Sequence, residues 1–211
     1  DLRLSDNQAL AAALAAADQL APVFVLDPAL LASPYVGDKR LAFLFDGLRS
    51  LDANLRQRGS RLIVRQGEPA AELARLMAES GADVIFAEGD VTPFARRRDE
   101  QVKAQLPLRL TRGLTMHRPS AVLKDDGAPY TVFTPFSKRW LALPLPLPVD
   151  LLPAPERIAT PAGLESVPIP TSPVLPASAP FPAGEAEAQR RLAAFTEGDN
   201  AVITRYRDDR N

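Results

Sequence analysis

Short strand-like runs alternating with longer stretches of helical period constrain this chain more than any other feature. Pro22–Leu26, Arg61–Arg65, Asp83–Ala87 and Leu108–Thr111 read as strands, and the first is a continuous apolar run of the kind buried on both faces of a sheet. Helical stretches lie between them. Lys39–Arg58 carries Leu41, Phe45, Leu48, Leu51 and Leu55 at three-and-four spacing, and Gly59 stands where a helix would end. Pro69 and Pro93 stand in the first turns of the next two helices, where a missing N–H costs least. An alanine-rich helix over 8–17 opens the chain, with Ser5 or Asp6 placed to cap it. Strands joined by helices of about a dozen residues require parallel crossovers. The fold expected is therefore α/β and Rossmann-like: a five-stranded parallel sheet with helices on both faces, the first of its strands expected upstream of Asp1.

A change of composition divides the rest. Twelve of the 21 prolines fall between Pro144 and Pro182, with few charges and no sustained period. Such a segment is stiff and extended, and too long for an ordinary loop within one domain. Helical spacing resumes at Glu185–Phe195 and Asn200–Tyr206, but two short helices cannot bury a core alone. The expected organisation is an α/β domain over 1–142, a Pro-rich linker over 143–183 and the first helices of a second, helical domain over 184–211.

Charge and residue usage narrow the function classes. Lys plus Arg number 25 and Asp plus Glu 26, a net charge of −1, so this stretch lacks the basic surplus of a domain that binds nucleic acid unaided. Cysteine is absent, which removes disulfides and thiolate metal sites and fits a cytoplasmic setting. The single histidine, His117, precedes Arg118-Pro119 and reads as an exposed turn residue without a second ligand for a metal. No apolar run approaches the ~20 residues of a membrane span, and the start is not a secretory signal. Neither G-x-G-x-x-G nor G-x-x-x-x-G-K-[ST] occurs. No catalytic or metal-binding residue is nominated. In open parallel sheets ligands bind beyond the carboxyl ends of the strands, where Asp27 and Glu88–Asp90 are expected; solvated loop acids are the plainer reading of both. The aromatics of Tyr130–Trp140 read as anchors for a long connection.

Four words in order give a resemblance. DLRLSDNQAL at 1–10, TPFARRRD at 92–99, YTVFTPFSKRW at 130–140 and YRDDRN at 206–211 resemble the amino-terminal half of the class I cyclobutane-pyrimidine-dimer photolyases, in the DNA photolyase/cryptochrome family. The resemblance implies the antenna half of a light-dependent DNA-repair enzyme. In that family a helical domain holds FAD and receives a flipped-out pyrimidine dimer, while the α/β domain holds a light-harvesting chromophore. It implies damaged DNA as partner through the helical domain, a monomer, and no repair by this stretch alone. The folate-binding members carry an Asn-Glu pair where this sequence has Phe94 and Ala95. The implied antenna is thus 8-hydroxydeazaflavin or FMN rather than methenyltetrahydrofolate. The residues matching the chromophore site are Val25, Asp27, Val36, Arg40 and Asp90; those of the closing motif are Tyr206 for FAD and Arg210 for the DNA backbone. A cryptochrome-type photoreceptor, a stand-alone flavin- or nucleotide-binding module and a non-catalytic interaction domain remain the alternatives.

Overall fold

The computed structural model describes residues 2–112, 115–145, 147, 150–176, 181–198 and 201–209. Its strands are β1 (Val23–Leu26), β2 (Ile63–Gln66), β3 (Ile85–Glu88) and β4 (Leu108–Thr111). β1 pairs with β2 in parallel, Phe24 opposite Val64, and β3 pairs with β4 in parallel, Phe86 opposite Arg109. No ladder joins the two pairs among the described residues, so the expected five-stranded sheet is seen as four strands in two parallel pairs.

The helices are α1 (Gln8–Ala16), α2 (Pro28–Leu31), α3 (Asp38–Arg56), α4 (Pro69–Ser80), α5 (Pro93–Gln105), α6 (Phe133–Leu141), α7 (Glu185–Thr196) and α8 (Val202–Asp209). Local chemistry sets their ends. Asn7 caps α1, its side chain accepting from the Leu10 N–H at 2.9 Å. Ser5 and Asp6, the expected caps, instead form the preceding turn, where Asp6 has φ 48°. Asn is the better cap here because the turn places its carbonyl over the first helical amides. Gly81, at φ 72°, ends α4 in the left-handed region that a side chain disfavours.

Strand alternation distributes the core over both faces of the β1–β2 pair. Phe24, Leu26 and Val64 meet Phe45, Leu48, Leu51 and Leu55 of α3, the stripe expected from spacing. Val23 and Ile63 point the other way, toward Leu76 of α4 and Leu164. A separate cluster joins Ile85, Ala87 and Leu108 to Ala70 and Leu73 of α4 and Val102 of α5.

Part of the Pro-rich segment lies on this layer. Val64, whose odd-numbered neighbours bond to β1, turns its own backbone outward. It donates to Ser166 Oγ at 2.9 Å and accepts from the Val167 N–H at 2.9 Å. That covers the outer edge of β2, which would otherwise offer unpaired donors and acceptors. Ile158, 1% exposed, enters the α3 cluster, and its N–H reaches Arg58 O at 2.9 Å. The Leu20 N–H donates to Ala159 O at 2.9 Å. His117 is half-buried against Trp140, ring centroids 4.9 Å apart and edge-on, which corrects the exposed-turn reading. The aromatic pairing removes it from water.

Ile158→Ala removes a buried side chain by which the Pro-rich segment packs into the α3 cluster. It is expected to cost about 2–5 kcal/mol, read as a lower urea midpoint at unchanged slope.

Candidate functional site

Each of the first three strands is followed closely by a residue that caps the next helix: Asp27, Glu68 and Thr92. Asp27, after β1, accepts from the Ala29 N–H at 2.8 Å. Glu68, after β2, accepts from Ala70 N–H at 3.1 Å and Ala71 N–H at 2.8 Å. After β3, Asp90 accepts from Thr92 N–H at 2.9 Å, and Thr92 caps α5 through the Ala95 N–H at 3.4 Å. The amino ends of α2, α4 and α5 therefore gather at the carboxyl ends of the strands, where partial positive charge accumulates.

An open cleft of about 600 Å³ lies there. One wall is Asp27, Pro28 and Ala29 with Glu68 and Pro69; the other is the face of α5 carrying Phe94, Arg97, Arg98 and Gln101. The opposite stripe of α5, Ala95, Asp99 and Val102, is buried and fixes the helix's rotation. Phe94 is 43% exposed, so a ring face is open to a ligand. Arg98 is held by Asp99 at 2.7 Å. The Nε of Arg97 donates to Pro93 O at 3.2 Å, and its two terminal nitrogens have no partner among the described residues. The cleft thus offers an aromatic face and a cation with free donors, while its carboxylates are engaged in capping. A planar ring with an anionic or carbonyl edge suits that donor set; a volume of this order is usual for cofactor sites.

The residues singled out by resemblance are placed as follows. Asp27 lines the cleft. Asp90 is in the loop that leads into its α5 wall, bound to the Thr92 N–H rather than lining the cleft. Val25 is in β1, half-buried and in alternation with Phe24 and Leu26. Val36 and Arg40 flank the turn into α3; Arg40 is exposed and its Nη1 donates to Tyr35 O at 3.3 Å. Neither is part of the cleft lining. Tyr206 is on α8, 54% exposed, with its ring edge-on to Phe195 at 5.7 Å. Arg210 lies outside the described residues. Phe94, Arg97, Gln101 and Glu68 were not nominated from sequence as cleft residues. For Phe94, Arg97 and Gln101 the signal was present as the i, i+3, i+7 row of α5 opposite its buried stripe; Glu68 stands before Pro69 as the cap of α4.

A second hollow, of about 530 Å³, lies at the end of β2 beside Arg65 and Glu165. Its charges are already paired: Arg65 with Glu79, and Arg75 with Glu72. Glu79 also accepts from the Glu165 N–H, and that bond with Arg65 holds its carboxyl below the ordinary glutamate range. This hollow is an ion-paired seam that fastens the Pro-rich segment. Among the described residues no group of His, Cys, Asp or Glu is arranged to hold a metal, and no helix is long and apolar enough to cross a membrane.

The DNA photolyase family profile matches residues 1–156. A deoxyribodipyrimidine photo-lyase of Synechococcus is 36% identical over 227 residues, covering 100% of this chain and 46% of that protein. The class III photolyase of Agrobacterium tumefaciens superposes with a TM-score of 0.85 at 26% identity, over 100% of this chain and 45% of its own. An archaeal photolyase from Sulfolobus tokodaii, whose structure holds two FAD molecules, superposes with a TM-score of 0.62 at 26% identity, over 79% of this chain and 38% of its own. The chain spans about half the length of the curated relatives it matches.

A carboxylate with a depressed pKa contributes stability that is present above its ordinary range and lost as pH falls through the lowered value. Glu79→Gln is therefore expected to flatten the loss of stability between about pH 5 and pH 3 relative to wild type, measured by urea unfolding across that range.

Proposed function

Because this chain belongs to the DNA photolyase family, we propose that it is the light-harvesting half of an enzyme that uses FAD and blue light to split cyclobutane pyrimidine dimers in DNA. The cleft between α5 and the ends of β1 and β2 receives the second chromophore. A chromophore held there supplies light absorption and passes excitation energy to FAD. This chain's own residues bind and orient it: Phe94 stacks on the ring, Arg97 donates to its polar edge, and Asp27 closes the opposite side. Val25, Val36, Arg40 and Asp90, which the resemblance also nominates, lie outside the lining of this cleft and belong to the flanking strand and turns.

The chromophore is 8-hydroxydeazaflavin or FMN rather than methenyltetrahydrofolate. The observation that carries this choice is the state of Phe94 and Ala95, the positions matching the Asn-Glu pair of folate-binding members. Ala95 is 3% exposed and packed into the domain, so a side chain there cannot reach a ligand; Phe94 offers only an apolar face. The two-flavin content of the Sulfolobus tokodaii photolyase supports a flavin-type antenna in the family. FAD itself is assigned to the helical half, with Tyr206 of α8 as one contact, and damaged DNA to that half as well, with Arg210 on its backbone. Extruding a lesion is inexpensive because a damaged pair is already weakly stacked.

Titration of the chain with FMN and with methenyltetrahydrofolate, followed by ligand fluorescence, tests the choice. FMN is expected to bind, and Phe94→Ala to weaken it about tenfold by removal of one stacking face. Tighter binding of the folate, or an unchanged FMN affinity in Phe94→Ala, would refute it.

A further inference from the structure

The turn that precedes α1 holds an occupant of unexpected origin. The Leu4 and Ser5 N–H groups point the same way and donate to the two carboxylate oxygens of Glu185, at 2.7 and 2.9 Å, and the Ser5 hydroxyl bonds the same side chain. Successive backbone donors of this kind form a concave anion seat. Glu185 is the first residue of α7 and lies 181 positions from Leu4. A second layer backs the contact: Gln189, one turn along α7, donates to Ser5 Oγ at 3.2 Å and to Glu185 Oε1 at 3.4 Å. Gly184, at φ 120°, lies so close to Ser50 of α3 that an added Cβ would collide with its Oγ. The helix is therefore lowered onto the α/β layer at its first turn.

Among the described residues its apolar contact with the layer is small. No residue of α7 is buried, and Leu192 is 61% exposed. Glu187 pairs with both Arg190 and Arg191 along the helix, and Arg191 also lies over the Phe181 ring at 4.5 Å. Apolar burial scales with area removed from water, and this helix has removed little. Charge-assisted hydrogen bonds are the stronger class, and here two backbone donors and a hydroxyl converge on one ionised group. Partial burial pushes the Glu185 carboxyl up; the Ser5 hydroxyl and the Leu4 and Ser5 amides outweigh it, with Arg58 adding in the same direction, so the net shift is downward. Arg58, on the chain just after α3, is the charged group that bears on it, and its guanidinium is itself held by Pro155 O and Asn54 O at 2.9 Å each.

We propose that the Leu4–Ser5 turn is a carboxylate seat and that ionised Glu185 is the latch that docks the helical segment on the α/β domain, a polar attachment that opens when the charge is removed. The latch sits at the head of a continuous bonded path. Asn7 caps α1, and the Gln8 N–H of α1 donates to Glu88 at 3.1 Å, at the end of β3 and two residues before Asp90. The docking of α7 and the loop that leads to α5 thus share one rigid turn.

Hydrogen exchange of the 211-residue chain tests this without any cofactor. Glu185→Gln keeps size but leaves one acceptor where two donors and a hydroxyl converge, and places an NH₂ group against a donor. The Leu4 and Ser5 amides are expected to lose at least tenfold in protection, while β1 and β2 amides keep theirs. Wild-type protection at those two amides should fall as pH drops through the range below an ordinary glutamate, and in Glu185→Gln it should not vary with pH. Glu187→Gln, on the same helix but away from the turn, should leave both amides as in wild type. Unchanged protection in Glu185→Gln, or a loss shared equally by β1 and β2, would overturn the latch.

Discussion

The backbone of β2 has to be satisfied on two edges at once, and the rest of the molecule is arranged around that requirement. One edge bonds to β1, as in the Ile63 N–H to Pro22 O contact of 2.7 Å. The other bonds to Ser166 and Val167, more than a hundred residues later in the chain. A short parallel strand left open on one side would be a site for unwanted pairing. The Pro-rich segment suits the covering role because it is extended already and needs few partners of its own. Arg49, Arg58 and Arg61 fasten it by donating to the carbonyls of Pro170, Pro155 and Leu164. Ile158 and Leu164 then add burial to the core clusters on opposite faces of the β1–β2 pair.

With the strands held, the site follows from how they end. A parallel arrangement sends every strand out on the same side and starts every following helix there. Asp27, Glu68 and Thr92 satisfy the first amides of those helices, so the helix ends are stable before any ligand arrives. Capping also occupies the carboxylates that border the cleft. What is left exposed to a ligand is the ring of Phe94 and the guanidinium of Arg97, both carried on a helix whose rotation is set by Ala95, Asp99 and Val102.

The helical portion is joined by different physics. The α/β layer is held by apolar contact and ladders, whereas α7 rests on it through one carboxylate, one glutamine and a close approach at Gly184. α7 and α8 meet through Phe195 and Tyr206 and leave Leu192, Val202 and Ile203 exposed. Such a joint is specific in geometry yet sensitive to charge, unlike the strand layer.

Much of this was legible beforehand, and the residues show why. The α3 stripe of Phe45, Leu48, Leu51 and Leu55 was readable because helical period depends only on spacing. Pro69 and Pro93 marked helix starts because a proline's missing N–H is a local property. The four strands, the parallel pairing and the family words were likewise matters of order along the chain. Asn7 rather than Ser5 or Asp6 as the cap, His117 sheltered by Trp140, the α5 wall of the cleft and the hold of Glu185 on Leu4 and Ser5 were not. By itself the sequence determined the four strands, the long helices between them and that the strands run parallel, since these follow from periodicity and backbone preference within about a dozen residues; the short helix α2 was not among them. Only the tertiary structure decided which groups meet across a hundred or more positions, because a hydrogen bond depends on distances of a few ångströms that no local pattern encodes.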